Sequence, residues 1–153
     1  MICNLCPKKC NAERTDFENN GGYCKAPSLA VVSRAALHFW EEPCISGTNG
    51  SGTVFFSGCS LSCVYCQNVE ISHQIKGKTV SAERLAEVFK ELYEKGAENI
   101  NLVNPTHYVT EIEKAFKIYK PPIPIVYISS GYESLASLNG ASRFVDVFFM
   151  DFI

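Results

Sequence analysis

The 153-residue sequence contains no apolar run approaching the ~18 residues that a membrane-spanning helix requires. Its opening residues, Met1-Ile2-Cys3-Asn4, show neither the basic nor the apolar region of a signal peptide. The sequence therefore predicts a cytoplasmic protein without a membrane role. It also lacks a block of like charge: 14 Lys and Arg stand against 16 Asp and Glu, for a net charge of -2. With no basic stretch to follow a phosphate backbone, nucleic acid is not an expected partner. A glycine-rich stretch, Ser46 to Gly52, lacks the Lys-Ser or Lys-Thr of a phosphate-binding loop, and a strand follows it where such a loop opens a helix. It reads instead as a joint between residues 1–46 and residues 47–153. Finally, residues 1–24 are poor in large apolar side chains, so that segment needs a source of order other than a core.

Cysteine, by contrast, is abundant, with eight in the chain. Four disulfides are one formal solution, but a reducing compartment and CxxC spacing favour metal over cystine. Cys3, Cys6, Cys10 and Cys24 fall in the core-poor segment, where four thiolates around one metal would supply order. The spacing suits tetrahedral zinc or an iron-sulfur cluster, and reduced cysteines acting as small hydrophobes are the alternative. Cys59, Cys63 and Cys66 follow at CxxxCxxC spacing, directly after the apolar run Val54-Phe55-Phe56. Three thiolates at the end of a strand can hold three corners of a cubic cluster, and no fourth cysteine in that stretch caps the last iron. An iron without a protein ligand can accept a small chelating molecule, which points to catalysis more than to electron carriage.

Between the cysteine groups, Leu29 to Val32 and Ala35 to Trp40 read as packing material, with His38 a structural histidine and Cys44 a buried inert thiol. Beyond the cysteine loop the pattern is regular. Thr53 to Ser57 is a strand, and Ser81 opens a helix whose Leu85, Val88, Phe89 and Leu92 share a face before Gly96 ends it. Asn99 to Val103 is a second strand. Thr110 and Glu113 form a capping box for a helix stopped by Pro121-Pro122. Ile123 to Ile128 is a third strand, Glu133 to Leu138 a short helix closed by Asn139-Gly140, and Val145 to Met150 a fourth strand. The order βαβαβαβ predicts an α/β fold with parallel strands joined by right-handed crossovers, as a barrel or an open sheet. Either arrangement gathers the cysteine loop, Asn104-Pro105-Thr106-His107 and Ser129-Ser130-Gly131-Tyr132 on the rim at the strands' carboxyl ends.

Cys59-Ser60-Leu61-Ser62-Cys63-Val64-Tyr65-Cys66 resembles the signature of radical S-adenosylmethionine (SAM) enzymes, with an aromatic residue before the third cysteine. The wider pattern resembles the uncharacterised branch of pyruvate formate-lyase activating enzyme homologues. It runs from Cys3-Asn4-Leu5-Cys6-Pro7 through Glu42-Pro43-Cys44 to Phe56-Ser57-Gly58-Cys59 and Cys66-Gln67-Asn68. The resemblance implies a partial (β/α) barrel and a [4Fe-4S] cluster on Cys59, Cys63 and Cys66 that binds SAM and cleaves it to a 5′-deoxyadenosyl radical. It further implies a glycyl radical enzyme as protein substrate and an electron donor such as flavodoxin or ferredoxin. Tyr65 would lie near the adenine, Asn104 or Thr106 would meet the methionine amino group, and Ser129 and Ser130 would meet the ribose. No catalytic residue is implied beyond the cluster ligands. Because family members continue past a fourth strand, the resemblance also implies truncation after about four parallel strands. The competing expectation is a non-catalytic metal-binding module or an inactive fragment.

Overall fold

The computed structural model describes residues 2–151; Met1 and the chain end at Phe152-Ile153 lie outside the described residues. Among these residues the elements run β1 (Ile2–Cys3), β2 (Ala12–Arg14), β3 (Asn19–Asn20), β4 (Ala30–His38), α1 (Pro43–Ser46), β5 (Ser51–Phe56) and α2 (Val69–Ser72). They continue as β6 (Lys78–Val80), α3 (Ala82–Glu94), β7 (Ile100–Val103), a 3-10 turn (Thr106–Tyr108), α4 (Val109–Ile118), β8 (Ile125–Ser129), α5 (Leu135–Ala141) and β9 (Val147–Met150). No helix among them is long and apolar enough to cross a membrane.

The expected parallel βαβαβαβ unit is present. Strands β5, β7, β8 and β9 pair in parallel in that order, with α3, α4 and α5 as the crossovers. Alternation along these strands separates two faces. Val54, Leu102 and Tyr127, in register across three strands, are fully buried on one face. On the same side α3 and α4 pack together and bring Phe89 onto Phe116, with ring centroids 4.5 Å apart. Phe55, Val103, Ile128 and Phe149, in register on the opposite face, remain partly exposed and line an open groove.

Two strands extend this sheet beyond the expected unit. Ala30–His38, expected as packing material, is a nine-residue strand antiparallel to β5, and β6 lies antiparallel outside it. The full order is β6-β4-β5-β7-β8-β9, so the sheet takes residues from both sides of position 46. The glycine-rich stretch runs from the end of α1 into the start of β5 and closes the connection from β4. Here Gly50 adopts φ +82°, a conformation that an L side chain rarely occupies. Cys44 and Trp40, expected in the interior, are exposed.

Helix boundaries follow local chemistry in one case and packing in two. Ser81 caps α3, its hydroxyl accepting from the Arg84 N–H at 3.3 Å. The Thr110–Glu113 capping box does not form, because the 3-10 turn already leads the chain into α4 at Val109 and places Thr110 inside the helix. Asn139-Gly140 lies inside α5, where a Cβ at Gly140 would meet Val109 Cγ1 at 3.1 Å. That glycine permits a close approach of α4 and does not end the helix.

Residues 2–20 make a small antiparallel sheet, β1-β2-β3, docked by Arg14. Only 2% of Arg14 is exposed. Its Nη1 donates to the His107 carbonyl at 2.9 Å, and both Nε and Nη2 donate to the Pro27 carbonyl. His107 is itself buried, with Nε2 2.8 Å from the Ser57 carbonyl. A carbonyl only accepts, so Nε2 carries the proton and the neutral ring presents a bare Nδ1. Burial pushes the His107 value down from 6.5 to about 4; the Ser57 hydrogen bond opposes the change and the Arg14 charge adds to it.

A histidine whose folded value lies below its unfolded value destabilises the fold at low pH, because only the unfolded chain takes up the proton. Stability supported by neutral His107 is therefore complete above pH 6.5 and is lost progressively down to about pH 4, by about 3 kcal/mol in all. Urea unfolding from pH 7.5 to 4 is expected to show this loss, and His107→Gln is expected to flatten it. An unchanged pH slope in the variant would remove His107 as the cause.

Candidate active site

The cysteine loop leaves β5 through Ser57, which is fully buried and fastens both ends of the excursion. Its one hydroxyl proton has the Ile71 and Gln74 carbonyls within reach at 3.1 and 3.0 Å, and its oxygen accepts from the Lys76 N–H at 2.8 Å. Gly58 follows at φ +82°, where an added Cβ would lie 2.5 Å from the Cys24 carbonyl oxygen. The loop is thus pressed against the amino-terminal sheet by a residue that admits no side chain. Gly58→Ala is expected to lower stability by at least about 2 kcal/mol, combining the left-handed backbone cost with a displaced carbonyl. Chemical denaturation checks this, and a loss below about 0.5 kcal/mol would mean that the contact is slack.

Cys59, Cys63 and Cys66 line one cavity of about 150 Å3. Its walls come from the carboxyl ends of all four parallel strands: Phe56, Val103-Asn104, Ile128-Ser129-Ser130 and Asp151. The lining is mostly apolar, with polar groups at the rim, as in small-molecule sites generally. Asn104 is held at φ +53° and spans the rim: its N–H donates to the Ile128 carbonyl at 2.8 Å and Nδ2 to the Gly58 carbonyl at 3.0 Å. The Ser129 hydroxyl accepts from the Gly131 N–H at 3.1 Å and lies 3.2 Å from Met150 Sδ.

The sulfurs sit among donors. The Leu61 and Ser62 N–H groups reach Cys59 Sγ at 3.3 and 3.5 Å, and the Ser72 hydroxyl reaches Cys66 Sγ at 3.3 Å. A neutral thiol is a weak acceptor, so this arrangement suits sulfur that carries negative charge, as a metal-bound thiolate does. No group of three His, Cys, Asp or Glu among the described residues is already drawn into coordinating geometry, so ligation requires side-chain rotation. The donor set and the cavity fit a three-thiolate iron-sulfur site.

The other expected residues divide. Asn104, Ser129 and Ser130 line the cavity. Tyr65, 67% exposed, lines the adjoining groove of about 790 Å3 with Cys63 and Cys66. Thr106 reaches neither space: it is 1% exposed and its hydroxyl donates to Glu133 Oε1 at 2.5 Å. Burial pushes the Glu133 carboxyl up from the ordinary range, against hydrogen bonds from Thr106, Ser129 and Ser137. Asn68, Ser72 and Asp151 join the cavity without being singled out beforehand. The position of Asp151 directly after an apolar strand was the available signal.

Comparison with known proteins agrees with this geometry. A protein of Methanocaldococcus jannaschii described as uncharacterized is 28% identical over 159 aligned residues, which cover 98% of this chain and 45% of that protein. The chain thus spans less than half the length of this relative. Residues 53–146 match the Radical SAM superfamily, a stretch that opens on the strand feeding the cysteine loop and takes in the strand ends and loops that form most of the cavity. With well over half of its length matched and the cysteine loop at the mouth of a parallel β/α sheet, the chain belongs to the radical SAM superfamily.

Proposed function

We propose that Cys59, Cys63 and Cys66 are the protein ligands of a [4Fe-4S] cluster and that the adjoining cavity receives SAM. The observation that supports this most is the gathering of all three thiols with residues from four strand ends around one space. When bound, the cluster supplies the electron that cleaves SAM to methionine and a 5′-deoxyadenosyl radical. The chain's own residues bind and orient. The Asn104 side chain fixes the rim, the Ser129 and Ser130 hydroxyls offer donors and acceptors to the ribose, and Tyr65 offers an aromatic surface to the adenine. The row Phe55, Val103, Ile128 and Phe149 gives the open groove an apolar floor beside the cysteines. Thr106 supports Glu133 beneath the rim, so the methionine amino group falls to Asn104.

The finer reading is an oxidoreductase of the glycyl-radical-enzyme activating type, resembling the pyruvate formate-lyase activating enzyme. Its substrate would be a backbone glycine of a partner enzyme, admitted as a peptide segment to the open groove. Val64, exposed beside the cysteines, offers a surface to a reducing protein such as flavodoxin or ferredoxin. Eight free cysteines and a low-potential cluster support a reducing, cytoplasmic setting for this reading.

The test is anaerobic reconstitution, reduction and addition of SAM. Equal yields of methionine and 5′-deoxyadenosine support the assignment. A loaded, reduced protein that leaves SAM intact would make the chain an iron-sulfur module without this catalysis. A colourless zinc protein whose metal survives Cys59→Ala would assign it to metal binding alone.

A further inference from the structure

Five cysteines play no part in the proposed SAM site, and four of them lie together. Cys3, Cys6, Cys10 and Cys24 line a second, small cavity beneath the amino-terminal sheet, together with Arg14 and His107. Three of the four are buried, with Cys3, Cys6 and Cys24 at 7%, 8% and 8% exposure. Cys3 ends β1, Cys6 and Cys10 flank a turn with Lys9 at φ +44° and Asn11 at +51°, and Cys24 follows β3. The turn closes through the Lys9 N–H on the Cys6 carbonyl at 3.1 Å.

Donors face every one of the four sulfurs. The Lys8 and Lys9 N–H groups face Cys6, those of Ala12 and Tyr23 face Cys10, and that of Ala26 faces Cys24. Asn19 Nδ2 lies 3.8 Å from Cys24 Sγ, and Arg14 Nη1 3.4 Å from Cys3 Sγ. Burial pushes the Cys6 and Cys24 thiols up and these donors oppose it, an arrangement that suits sulfur whose negative charge is shared with a bound metal ion. His107, 1% exposed on the wall of the same cavity, leaves its Nδ1 without a partner. The space between the sulfurs is small, about 10 Å3, and as at the first site the thiols must rotate to share a ligand; closing on a single ion asks for far less rearrangement than enclosing a four-iron cube.

We infer that Cys3, Cys6, Cys10 and Cys24 form a tetrathiolate site for one structural zinc ion. Closed ligation by four thiolates is the arrangement of structural zinc, and its binding energy is folding energy for a segment with little core of its own. The site also steadies the SAM-site loop: the Tyr23 hydroxyl donates to the Leu61 carbonyl at 3.2 Å, and the Cys24 carbonyl abuts Gly58. On the other side the Ser134 hydroxyl donates to the Leu5 carbonyl at 2.6 Å, tying the same segment to the loop after β8.

Metal analysis of the full chain carrying Cys59→Ala, Cys63→Ala and Cys66→Ala tests the site without the proposed cluster. About one zinc per chain is expected. Adding Cys6→Ser or Cys24→Ser should lower it at least tenfold, while adding Cys44→Ser should leave it unchanged. Loss of a ligand can unfold the segment, so cobalt(II) replacement in the triple variant with all four N-terminal cysteines intact supplies a second readout. Intense visible bands with sulfur-to-cobalt charge transfer are expected. A metal-free protein, zinc that survives Cys6→Ser, iron with sulfide in place of zinc, or a pale octahedral cobalt spectrum would each overturn the site.

Discussion

Alanine at Cys59, Cys63 or Cys66 is expected to reduce iron after anaerobic reconstitution from about four atoms per chain to below one, with loss of the brown colour. Three ligands are the minimum for a site whose fourth iron is left for SAM, so no member of the trio can be spared. The three thiols share one cavity, their loop holds no further cysteine, and it is fastened at Ser57 and Gly58, so no thiol stands ready as a substitute. Cys44→Ser provides the control, because that thiol is exposed on α1 and does not line the cavity. Iron that persists in two of the three alanine variants would contradict the assignment. Serine at Cys6 or Cys24 is expected to affect zinc directly and cluster loading only through the Tyr23 and Cys24 contacts with the loop.

Replacing Arg14 is expected to have the largest effect on stability. Its guanidinium satisfies the buried carbonyls of Pro27 and His107 and lies against Cys3 Sγ, which joins the amino-terminal sheet to the main one. Arg14→Met keeps much of the apolar stem but leaves two buried carbonyls unpaired, at about 1–3 kcal/mol each. A loss of about 3–5 kcal/mol follows, a large part of the 5–15 kcal/mol that holds a typical domain. Lysine preserves the charge but has no planar fork to reach several acceptors at once, so Arg14→Lys should recover less than half of the loss. Urea titration of the three proteins decides the matter. A loss under about 1 kcal/mol in Arg14→Met would show that these contacts are not what docks the segment.

The parallel half of the sheet was legible because apolar runs and helical faces alternate cleanly from Thr53 onward, and one buried face per element leaves a strong pattern. The cysteine spacing was equally plain. Strand β4 was not, because the register shift between Val32 and Arg34 breaks its alternation, and small alanines replace the large apolar residues that mark a strand. Thr106 was placed on the rim by its position after β7, yet the 3-10 turn carries it beneath the rim to Glu133. Turn geometry of that kind has no periodic signature. The ring of donors around the amino-terminal sulfurs was also hidden, since most are backbone N–H groups that any residue supplies.

The central claim, a cluster with an iron open to SAM in this loop, is tested most directly by electron paramagnetic resonance of the reconstituted, reduced protein before and after adding SAM. A [4Fe-4S]1+ signal whose shape changes on SAM addition, and which is absent from Cys63→Ala, is the predicted result. A signal that SAM leaves unchanged would contradict it.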